Sequence, residues 1–77
     1  MTTTLYDNIV KVLTMYLGPA APRFVDRQIE SHLHISPEKI TPADLPQLAE
    51  WIRISMALLT DDANTIDECS RRLAQLV

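Results

Sequence analysis

Seventy-seven residues, 47 % hydrophobic and 22 % charged, suffice for one small domain and are too apolar for a disordered chain. The formal charge is −3, and Lys11, Arg23, Arg27, Lys39, Arg53, Arg71 and Arg72 are scattered among ten acidic residues, so no basic footprint points to nucleic acid or an acidic membrane. The single cysteine, Cys69, excludes an internal disulfide, and no apolar run approaches the ~20 residues that span a bilayer.

The chain opens MTTTLYDN, without the basic stretch of a signal peptide, and a cytoplasmic protein with no membrane insertion is expected. The first periodic segment runs from Leu5 to Leu17. At ~100° per residue, Leu5, Ile9, Val12, Leu13, Tyr16 and Leu17 share one side and Asp7, Asn8, Lys11 and Thr14 the other. Thr3 or Thr4 is the expected cap, and Asp7 suits the positive end of the helix.

Gly18 is the only glycine, and Pro19 follows at once. A glycine stops a helix by taking a positive φ, and a proline opens the next one because its missing amide is not needed in a first turn. The stretch YLGPAAPRF therefore predicts a tight corner. The second helix is expected from about Pro19 to His34, with Ala21, Phe24, Val25, Ile29 and Leu33 inward and Arg23, Asp26, Arg27, Glu30 and His34 outward. Gln28 and His32 fall in the apolar sector, where polar groups need partners if buried.

In the connector, Ser36-Pro37-Glu38 predicts one short turn and Thr41-Pro42-Ala43-Asp44 a helix start. The third helix begins either at Pro42, capped by Thr41 with Asp44 reaching back, or near Leu45 with Asp44 as the cap and Gln47 at N3, because Pro46 would break a ladder begun at Pro42. It reaches about Leu59. Leu45, Leu48, Ala49, Ile52, Met56 and Leu59 form its main stripe. Trp51, Ile54 and Leu58 form a second stripe roughly 140° away. Packing of the first and last helices on opposite sides of the third is expected to cover Ile54 and Leu58 and to leave Trp51 partly exposed. Asp61 or Asp62 caps a last helix from about Ala63 to Leu76, with Ile66, Cys69, Leu73, Leu76 and Val77 on one side. No segment alternates with period two. The expected fold is all-α: one domain over residues 1–77, a compact bundle of four main helices with a short extra helical turn between the second and third.

Tyr16-Leu17-Gly18-Pro19-Ala20-Ala21 resembles a Y-[IL]-G-P-x-A motif of small helical domains at the C-termini of bacterial serine/threonine kinases and other signalling proteins. The longer YLGPAAPRFVDRQI…ITPADLPQLAEWI resembles short stand-alone cyanobacterial proteins of unassigned function. The resemblance spans about residues 5 to 59 and implies regulation or assembly rather than a reaction. Asp26 interrupts Arg23 and Arg27 where the kinase-attached domains are more basic.

Reactive chemistry finds little to build on. His32 and His34, two apart on a helix, point about 200° apart. Glu30 and His34 alone fall short of a zinc ligand set, so neither metal nor cofactor is expected. Cys69 on an apolar side reads as a structural thiol, and Asp61-Asp62 as a cap rather than an acid–base pair. One glycine cannot make a phosphate loop, and the acidic, apolar third helix is a poor reader of DNA. The expectation is a non-enzymatic protein–protein interaction module of bacterial regulation or assembly. It would bind another protein or itself through Trp51, Ile54 and Leu58. The alternative is a small-ligand-binding protein using the Gln28 and His32 side of the second helix.

Overall fold

Two prolines decide how this chain turns its corners. The amide of Ala21 donates to the Gly18 carbonyl, an i→i+3 bond, because residue 22 is proline and has no amide for the i→i+4 bond. The amide of Leu45 likewise donates to the Pro42 carbonyl, because residue 46 is proline. Each proline thus converts the opening of a helix into a single 3-10 turn, over Gly18–Ala20 and Pro42–Asp44.

The computed structural model describes residues 4–76. Four α-helical segments follow in order, α1 (Leu5–Leu17), α2 (Ala21–Gln28), α3 (Leu45–Leu59) and α4 (Ala63–Ala74), with no strand among the described residues. The fold is all-α. The expectation of four main helices needs correcting, because only α1, α3 and α4 are long regular helices. The second is a composite of the Gly18–Ala20 turn, the eight residues of α2 and a π-helical turn over Ile29–Leu33. His34 ends it at φ 56 and ψ 36, a left-handed conformation that histidine tolerates better than most residues. Pro37 then holds Ser36 extended and opens the short turn Pro37–Lys39.

The helix starts follow the capping rules. The amide of Asp7 donates to the Thr4 hydroxyl at 3.1 Å, and the Thr4 amide donates to the Asp7 carboxylate at 3.4 Å. Thr3, the other expected cap, lies outside the described residues. Both starts weighed for the third helix contribute. Asp44 accepts from the Thr41 amide at 3.2 Å and the Thr41 hydroxyl at 2.9 Å, yet the α-helix itself begins at Leu45. Asp62, not Asp61, caps α4, accepting from the amides of Asn64 and Thr65 at 3.0 and 3.3 Å. Hydrogen bonds from Thr65 and Asn64 hold its carboxyl below the usual range. The last helix ends at Ala74, two residues short of the expected end, and Val77 lies outside the described residues.

The helices close a ring: α1 packs on α2 and α4, and α3 packs on α4 and on α2 with its π turn. The Cα radius of gyration is 11.4 Å. A compact chain of this length has one of about 11.5 Å. Inside are Ile9 and Leu13 of α1, Ala21 and Val25 of α2, Ile29 of the π turn, Leu45, Leu48, Ile52 and Met56 of α3, and Cys69 and Leu73 of α4. Ile40 of the connector joins them. Leu59 does not; it ends α3 beyond its neighbours and is 62 % exposed.

Two polar contacts tie the outer seams. The Tyr6 phenol of α1 donates to the Asp26 carboxylate of α2. Burial, reinforced by that bond, pushes its pKa up from 10.0 to about 12. Between α1 and α4, the Tyr16 hydroxyl is buried against the Glu68–Arg72 pair without a well-formed hydrogen bond to either.

Gly18 has φ 62 and ψ −139, a region open to glycine and strained for residues with a Cβ. A Cβ there would touch no heavy atom within 4 Å, so the cost of Gly18→Ala is torsional. That variant is expected to lose about 1–3 kcal/mol in urea unfolding while keeping its helical far-UV spectrum.

The raised Tyr6 pKa gives a second expectation. The folded state keeps the phenolic proton where the unfolded chain releases it, so this stabilisation is complete below pH 10 and is lost as pH rises through about 12. Unfolding free energy should fall over that window, and Tyr6→Phe should fall less steeply. Tyr16 and Cys69, whose pKa values burial also raises, supply the slope that remains.

Candidate functional site

The third helix touches the bundle along two seams and leaves a strip between them. On the seam toward α2, Gln28 is 6 % exposed, and its side-chain carbonyl accepts a hydrogen bond from the Ser55 hydroxyl at 3.1 Å. One turn later the π helix carries His32 over Trp51. The imidazole lies parallel to the indole, with ring centroids 3.9 Å apart and planes 4° apart. This parallel stacking of two flat rings covers one face of each. His32 is half-buried and His34 exposed, as their places in the helical wheel indicated.

Three of the five residues singled out from the sequence, Gln28, His32 and Trp51, therefore meet in one internal seam. Their partner Ser55 escaped the sequence reading. It stands one turn after Trp51, and nothing short of the tertiary pairing marks it as the group that satisfies Gln28. The Gln28 side is thus occupied by the protein's own side chains. Trp51 keeps its expected partial exposure, but with one ring face covered.

Ile54 and Leu58 depart from expectation. They are 48 % and 84 % exposed, not covered. The reason is the ring topology: α3 is flanked by α4 and by the second helical segment, while α1 lies on the far side of the core. Among the described residues, no element crosses the outer face of α3.

On the α4 side of Ile54 lies a groove of about 300 Å³ lined by Glu50, Arg53, Ile54, Ala57, Ala63, Ile66 and Asp67. Ala57 and Ala63 are small enough to leave a depression between the two helices, with Ile54 and Ile66 as apolar walls. Arg53 of α3 reaches Asp67 of α4 at 3.3 Å, and both side chains are about half exposed, so the pair adds little stability. Glu50 has no ion-pair partner among the described residues. Periodicity found Ile54 and Ile66 but not the groove, which exists only where two helices cross.

Other reactive groups sit apart from this face. Cys69 is buried in the core, and burial, with Glu68 nearby, pushes its thiol up to about 11, the opposite of an activated nucleophile. Among the described residues, no three histidine, cysteine or acidic side chains converge to hold a metal ion. No helix among the described residues is long and apolar enough to cross a membrane. The chain matches no protein-family model, and comparisons with curated proteins and with solved structures give no match.

The stacked rings have a direct spectroscopic signature. In a proton NMR spectrum, the His32 ring protons should be shifted upfield by the indole ring current, and those of His34 should lie near random-coil values. His32→Ala should red-shift Trp51 emission and raise its quenching by acrylamide. Equal shifts for the two histidines would contradict the stack.

Proposed function

We propose that this chain is a non-enzymatic protein–protein interaction module, acting in regulation or assembly in a bacterial cytosol, and that the outer face of α3 is its contact surface. The observation that carries the reading is the exposure of Ile54 and Leu58 on a helix whose opposite side is core. Two neighbouring aliphatic side chains left in water beside a half-covered tryptophan are what an interface looks like before its partner arrives. The resemblance of the Tyr16–Ala21 corner to domains attached to bacterial signalling proteins supports the same reading.

Magnitudes indicate the kind of complex. Covering a side chain such as Leu58 is worth about 2 kcal/mol, and Ile54 less because half of it is already covered. Association costs roughly 4–15 kcal/mol before any contact is counted. Together the two side chains fall short of even the lower end of that cost, so any contact through this strip has to recruit its flanks. A standard interface takes ~800 Å² from each partner. That is about a sixth of the 5026 Å² surface here.

The alternative, a small ligand held at Gln28 and His32, draws no support from the seam, where Ser55 and Trp51 already engage both side chains.

The test uses Leu58→Ser, since that side chain makes few contacts of its own. Its thermal midpoint and far-UV spectrum should match wild type. Self-association measured by sedimentation, or capture of partners from the source cell measured by mass spectrometry, should drop markedly. Trp51→Ala is the less clean probe: losing the stack with His32 should cost about 1 kcal/mol of stability as well. Unchanged association in Leu58→Ser would place the contact surface elsewhere.

A further inference from the structure

We infer that the occupant of this face is a cationic amphipathic helix of another protein, lying along α3 with one apolar side chain in the groove between α3 and α4. The inference rests on the interface reading above and adds the chemistry of the partner.

The groove supplies the shape. Its floor and walls are Ile54, Ala57, Ala63 and Ile66, and its volume of about 300 Å³ accommodates an aliphatic or aromatic side chain. Leu58 stands one turn beyond Ile54 on the same strip, so the apolar surface continues along the helix axis. Anchors spaced i, i+3 or i+4 and i+7 on a partner helix match such a strip. The described residues offer no sheet edge to which an extended peptide would add.

The charge supplies the sign. Of the charged residues lining the groove, Arg53 and Asp67 engage each other and leave Glu50, while the loop that joins α3 to α4 adds Asp61 and the cap Asp62, and Arg71 stands one turn after Asp67 on α4. The helix ends add no net sign to this, because the negative C-terminal end of α3 lies beside the positive N-terminal end of α4, which starts at Ala63 in the same groove, so the sign rests on the carboxylates. Leu58 and Leu59 sit at the C-terminal end of α3. Lysines or arginines flanking the apolar anchors of a partner would meet Glu50 at one end of the strip and Asp61 at the other.

The same charges disfavour a second copy of this chain. A two-fold contact brings each patch against itself, and here it would bring carboxylates toward carboxylates while Arg53, the arginine lining the groove, is already engaged by Asp67.

The probe is a fluorescein-labelled helical peptide of ~14 residues, matching the length of α3. It carries leucines at i, i+3, i+4, i+7 and i+11 and lysines elsewhere. A twin has glutamate for every lysine. Anisotropy should show the lysine peptide binding and the glutamate twin at least about tenfold weaker. Ile54→Ser, and separately Glu50→Gln with Asp61→Asn, should each weaken binding about fivefold. The double charge variant should also flatten the salt dependence. Glu38→Gln, on the exposed connector and outside the lining of the groove, should leave binding unchanged.

Equal binding of the two peptides, or equal loss in Glu38→Gln, would reveal diffuse attraction and overturn the inference. If neither peptide binds while wild type self-associates and Leu58→Ser does not, the face is an interface whose occupant is a second copy. The inference then falls and the interface reading stands. If no association of any kind responds to Leu58→Ser, both fall.

Discussion

Two backbone carbonyls that no α-helix can serve govern the shape of this molecule. Gly18 and Pro42 each lie four residues before a proline, so the amide that would complete their helical bond does not exist. Each carbonyl takes the amide three residues on instead. The tightened turn at Gly18 folds α2 back along α1 with no loop between them. The turn at Pro42 delays α3 until Leu45, which puts Leu45, Leu48, Ile52 and Met56 on the inside. Moving either start by one residue would rotate the helix that follows by about 100° and turn its core stripe away.

The ring order that results explains the uneven use of α3. In a chain of this size only two elements can flank the central helix, and they are α4 on one side and the composite second segment on the other. The flank toward α2 is finished in detail: Ser55 satisfies Gln28, and the wider π turn lays His32 flat on Trp51. π turns commonly occur where a side chain must be placed off the regular helical register. The flank toward α4 is looser, with Ala57 and Ala63 leaving a groove and an exposed ion pair across it. The uncovered strip lies between a closed seam and an open one.

Much of this was legible from residue order. The helical segments, the Gly18 corner, the caps of the first and last helices to within one residue and nearly every core side chain follow from local rules that need no knowledge of the partner helix. What failed depended on which helices become neighbours. Ile54 and Leu58 were expected to be covered because a helix apolar on two sides is usually central, yet coverage of the second side would have required α1 to cross it. Leu59 belongs to the right stripe but sits past the end of its neighbours. The π turn has no sequence signature of its own, so the pairing of His32 with Trp51 across 19 positions was invisible even though both residues stood out singly.

Exposed leucine and isoleucine on a small acidic protein pose a problem that the surrounding carboxylates address. An apolar strip with no charge around it would pair with copies of itself, since the cheapest partner for a hydrophobic face is an identical one at the same concentration. Glu50 in the groove lining and Asp61 in the loop after α3 set like charges against that pairing without covering the apolar atoms. Specificity is a difference between affinities, and a repulsive rim lowers the wrong affinity while raising the right one for a partner of opposite sign. The Arg53–Asp67 pair fits the same logic. By engaging the arginine that lines the groove, Asp67 takes up a group that would have welcomed an acidic competitor, and leaves Glu50 free to meet a basic one.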